Sequence, residues 1–159
     1  MDVISIPQDT LTLILRLTGA AALGAAVGIN REMRQKPAGL RTHALVALGG
    51  GLFAIIGLAM TPDGAVLEFN AVSRILQGLV AGVGFIGGGV ILRRHDIKDV
   101  QGLSTAASIW VVSATGVAAG LGLWRSAAIT AVMTLAILAL DPLDRKIREV
   151  ANENESDSR

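Results

Sequence analysis

There is no cysteine in this chain. Disulfides, thiolate metal sites and thiol catalysis are excluded together. Charge is scarce: only 17% of residues are charged, and they cluster, leaving long apolar runs between them. The net charge of +1 gives no bulk attraction to nucleic acid, and none is expected as a partner. Residues 1–10 hold Asp2 and Asp9 but no Lys or Arg, so a cleavable signal peptide with a basic leading region is not expected. No Asp or Glu lies well inside an apolar run. A divalent cation such as Mg²⁺ takes oxygen ligands, commonly carboxylates with retained waters, so a cation route lacks its usual lining. No nucleophile stands beside a base and an orienting acid, and no carboxylates are paired. The expectation is a protein that is not an enzyme and holds no cofactor. His43 and His95 lack a second ligand at metal spacing and read as loop residues.

What is present is apolar. Hydrophobic residues make up 52% of the chain, with a mean hydropathy of +0.57, which argues for an integral membrane protein. Five spans are predicted: 11–29, 44–59, 74–92, 103–121 and 124–140. The second and fifth are near the lower limit of about 17 residues for a crossing. Basic residues alternate between the connections. Arg31, Arg34, Lys36 and Arg41 follow the first span, whereas the next connection carries Asp63 and Glu68 and no basic residue. Arg93, Arg94 and Lys98 follow the third span, and Arg145, Lys146 and Arg148 the fifth. The positive-inside rule then predicts an all-α bundle of five transmembrane helices, N-terminus outside and C-terminus cytoplasmic. Residues 1–141 form this transmembrane domain. Residues 142–159 read as a short cytoplasmic tail, with an amphipathic helix over 142–150 and a polar, disordered end.

The stretch Arg74 to Leu92, RILQGLVAGVGFIGGGVIL, is expected to be the central helix, with the others packed around it. It contains Gly82-Val83-Gly84-Phe85-Ile86-Gly87, which spells a dinucleotide fingerprint by letters. The fingerprint needs a preceding strand and an acid about 20 residues on, and neither is here. Small residues recur at four-residue spacing as Gly24 and Gly28, Gly78 and Gly82, Gly84 and Gly88, and Gly116 and Gly120. That is the close-packing pattern of membrane helices. Packing within one chain is the preferred reading; the ridges also leave open a homodimer interface or a re-entrant break lining a cavity.

Arg16 and Arg74 are the charges nearest the apolar layer. A charge there faces the bundle or snorkels to the interface. Arg74 shares its face with Gln77 and Gly78, and either arginine could hold an anion or pair with Asp63 or Glu68. Ser108 and Thr115 stud the fourth span. Together with Arg74 and Gln77 they could line a route, although such hydroxyls more often bond their own helix. Pro37-Ala38-Gly39 reads as a turn, with Thr42 placed to cap the second span and Ser104 or Thr105 the fourth. The first cytoplasmic loop, with Arg31, Arg34, Pro37, Gly39, Arg41 and His43, is the candidate contact surface for lipid phosphate or an acidic partner.

Three stretches carry a resemblance: Gly24 to His43 (GAAVGINREMRQKPAGLRTH), Arg74 to Leu92, and Gly102 to Trp110 (GLSTAASIW). In that order and spacing they resemble the MgtC/SapB family of bacterial inner-membrane proteins. The resemblance implies a multi-pass inner-membrane domain with a cytoplasmic C-terminus. It also implies a link to adaptation to low magnesium or to intracellular survival, and a membrane partner, of which the F-type ATP synthase is one described for the family. The alternative is a small ion transporter or channel. Asn30 stands where the family usually has Glu, and Ala71 where many members have an acid. Longer members carry a further cytoplasmic domain.

Overall fold

The computed structural model describes residues 9–60, 69–92 and 102–140, with the backbone alone at 69–71 and 92. Five helices run through them: α1 Thr10–Met33, α2 Leu40–Ala59, α3 Phe69–Leu92, α4 Leu103–Gly120 and α5 Trp124–Ala139. The first four are long and apolar enough to cross a membrane; α5 is apolar but has 16 residues. The acids of the second connection, the basic cluster after the third span and the expected tail helix lie outside the described residues.

Local chemistry sets the helix ends. Asp9 caps α1: its carboxylate accepts from Thr12 N at 2.6 Å and from Thr12 Oγ1 at 3.0 Å. These bonds hold the Asp9 carboxyl below the usual carboxylate range. At the other end Gln35 N donates to Glu32 O and Lys36 N to Arg31 O, the paired bonds of a Schellman turn. The left-handed position falls on Gln35, at φ 52°, where glycine is the usual residue. Pro37 follows, as it often does after such an end. The α4–α5 turn repeats the motif with Gly122 at φ 80°; Gly122 N donates to Ala119 O and Leu123 N to Ala118 O.

Two expected caps are corrected. α2 starts at Leu40, two residues before Thr42, and its first N–H is taken by Glu32 Oε2 at 2.8 Å. α4 starts after Gly102, so Ser104 and Thr105 sit inside its first turn, with no side-chain cap bond at Gly102.

The centre of the bundle is not α3. Half of the apolar window of α4 is buried, against 11% of that of α3. The reason is where glycines meet. A Cβ on Gly116 would strike Ala47 O, and one on Gly120 would strike Gly51 O. On Gly50 it would lie 2.5 Å from Ser113 O. On Gly24 it would lie 2.5 Å from His43 O and 2.6 Å from Ala47 Cβ. Backbone therefore touches backbone along α1–α2 and α2–α4, as small residues permit. Val27, Ala47, Val112 and Leu138 close one core cluster, and Ala20, Ala119 and Ala127 a second. α3 lies outside, joined to the rest by the cluster of Val83, Ile109 and Ala38, by Gly87 near Ala106, and by Val72 and Ile75 near Gly57.

Candidate functional site

Polar groups are buried at both ends of α4, and α1 supplies an arginine to each. At the N-terminal turn Arg31 is fully buried, 0% exposed. Its Nη2 donates to Thr105 Oγ1 at 2.8 Å and to Ser104 Oγ at 3.0 Å. At the C-terminal end Arg16, 9% exposed, donates from Nη1 to Gly120 O at 3.1 Å. A cation there satisfies a terminal carbonyl and complements the helix dipole. α1 and α4 are therefore antiparallel and tied at two levels.

Beside Arg31 lies His43, also 0% exposed. Its Nδ1 is 2.9 Å from Gly39 O, which can only accept, so Nδ1 carries a proton. Its Nε2 is 3.0 Å from Ser108 Oγ, and that hydroxyl lies 2.8 Å from Thr105 O. With His43 neutral, Nε2 accepts, and the single Ser108 proton is shared between two acceptors. With His43 protonated, Nε2 donates to Ser108 Oγ and both contacts are satisfied. The arrangement joins α1, α2 and α4 through one polar seam. Asn30 Oδ1 is buried close by in sequence and finds no hydrogen-bond donor among the described residues.

The expected loop surface is thus divided. Arg31 and His43 are interior groups within α1 and α2, which corrects their placement on a contact loop. Arg41 is exposed, Arg34 and Gly39 are half-buried, and Pro37 is exposed. The expected route is divided too. Arg74 and Gln77 are exposed on α3, whereas Ser108 and Thr115 are buried. Thr115 returns its hydroxyl to Val111 O of its own helix at 3.0 Å. No described hydrogen bond links the two pairs.

The glycines divide in the same way. Gly24, Gly28, Gly116 and Gly120 lie in close backbone contacts. Around Gly78, Gly82, Gly84 and Gly88 nothing described lies within 4 Å of an added Cβ. Arg74, Gln77, Gly78, Ala81, Gly82 and Phe85 are all exposed, Phe85 at 85%, and their spacing puts them on one stripe of α3. This stripe carries a charge, an amide and bare backbone within an apolar helix.

Sequence reasoning passed over Glu32, Gly50, Gly51 and the pairing of Arg31 with Ser104 and Thr105. Gly49-Gly50-Gly51 is visible as a run, but its register against Gly116 and Gly120 needs the fold.

A bundle of long apolar helices tied by buried arginines defines a multi-pass α-helical membrane protein. Residues 17–146 match the MgtC family, and the chain belongs to it. It is 42% identical over 146 residues to Protein SrpB of Synechococcus elongatus, covering 87% of this chain and 80% of that one. It is 43% identical over 131 residues to the protein named "Putative magnesium transporter YhiD" of Escherichia coli K12, covering 81% of this chain and 60% of that one. It is 37% identical over 147 residues to Protein MgtC of Salmonella typhimurium LT2, covering 92% and 60%. The chain thus spans about three-fifths of the length of YhiD and MgtC. No solved structure matches it.

Proposed function

We propose that this chain is a non-enzymatic inner-membrane protein, N-terminus outside, that serves magnesium-linked homeostasis by engaging a membrane partner through α3. The observation that carries the reading is the stripe from Arg74 to Phe85. Lipid is a poor cover for an amide and a guanidinium at the edge of the apolar layer, and a glycine ridge offers it little side-chain surface. A helix with small residues and an acid or amide opposite Arg74 and Gln77 covers all of these features. A photo-crosslinking residue placed at Gly82 or Phe85, in cells grown at low magnesium, yields a discrete adduct. The same probe at Ile137, exposed on α5, does not. No adduct from α3, or equal adducts from α5, overturns the reading. The adduct's mass separates a second copy of this chain from a different protein such as an ATP synthase subunit.

A second reading rests on the printed name of the Escherichia coli relative, which speaks of magnesium transport. Under it, purified protein in proteoliposomes carries Mg²⁺, and Arg74→Ala changes the flux. Absence of flux sets it aside.

A further inference from the structure

The cavity at the α1 and α4–α5 end of the bundle takes no part in the α3 stripe. Its volume is about 670 Å³, and its walls are Thr12, Leu15, Arg16, Gly19, Gly122 and Trp124, among others. Three details mark it as a built feature. Arg16 is nine-tenths buried, yet contributes to the wall. Gly122, left-handed at φ 80°, backs the guanidinium: a Cβ there would lie 3.2 Å from Nη2 and 3.3 Å from Cζ. Trp124 presses on Gly19, where a Cβ would lie 2.6 Å from the indole ring. Depth matters as well. Arg16 is six residues inside the start of α1, about 9 Å along its axis from that end.

We propose that this cavity binds the headgroup of an anionic phospholipid. The guanidinium supplies planar donors and a charge for the phosphate. Leu15, Ala22 and the Trp124 ring supply apolar wall for the glycerol and the first acyl carbons. An amphiphile whose negative end meets a cation and whose apolar end meets lipid fits this mixed lining. A free phosphate ion fits only the polar part.

The test uses the full chain in detergent micelles, with retained lipid counted by native mass spectrometry. Phosphatidylglycerol is retained over phosphatidylcholine by about fivefold, the contribution expected of one cation facing an anionic headgroup. Ala22→Phe fills the cavity without touching the Arg16–Gly120 bond and abolishes the preference, with helical circular dichroism unchanged. Arg16→Lys keeps the charge, loses the planar fork and weakens the preference. Equal retention of the two lipids, or a preference that survives Ala22→Phe, overturns the proposal. Inorganic phosphate at millimolar concentration leaves the retained lipid in place. Displacement by it would show a site for the free ion and would also overturn the proposal.

Discussion

Single side chains in this protein act as ties between helices. Ser108 shows it: it meets the only ring nitrogen of His43 not engaged by Gly39 O. Ser108→Ala leaves that buried nitrogen without its partner and is expected to lower stability by about 1–3 kcal/mol, read by chemical denaturation in micelles. A double-mutant cycle of Arg31→Met with Thr105→Val should return a coupling of about 1–2 kcal/mol, because the charge-assisted bond is buried. Gln35 points the other way. It holds a left-handed turn at a cost that glycine escapes, so Gln35→Gly is expected to stabilise by about 1 kcal/mol. Asp9 gives a pH dependence with a definite sign. Its folded carboxyl titrates below the ordinary value, so the capping contribution is complete above about pH 4 and is lost as pH falls through the lower folded value. Fraying of the first turn of α1 in acid, followed by amide exchange, should be absent from Asp9→Asn. These details were only partly legible in the sequence. An arginine in the first loop was visible; its burial was not, because α1 continues four residues beyond the expected end at Ile29 and carries Arg31 inside.

Helices are where the sequence spoke most clearly and where it misplaced one. Apolar run length and charge breaks locate all five, with ends within a few residues. The same glycine spacing occurs on four-residue steps in α1, α3 and α4, and spacing alone cannot tell which ridge meets another and which faces outward. The fold answers by depth of contact. Gly116→Ala must push α4 away from Ala47, so a loss of about 1–3 kcal/mol is expected, the usual cost of overpacking. Gly82→Ala meets nothing described and should leave monomer stability within about 0.5 kcal/mol. If α3 docks a partner, the adduct from Phe85 falls in Gly82→Leu while thermal unfolding barely moves. The pair separates a packing glycine from a docking one with one assay of each kind.

For the molecule as a whole, the two arginines of α1 impose a fixed measure on α4. Arg16 and Arg31 are fifteen positions apart, and so are Gly120 and Thr105, the groups they reach. Equal helical rise, about 22 Å in each, lets both clasps close at once. An extra residue inserted between Arg16 and Arg31 shifts one clasp by about 1.5 Å and turns it by about 100°, so only one of the two can then form. Length between these side chains is therefore held to a single value.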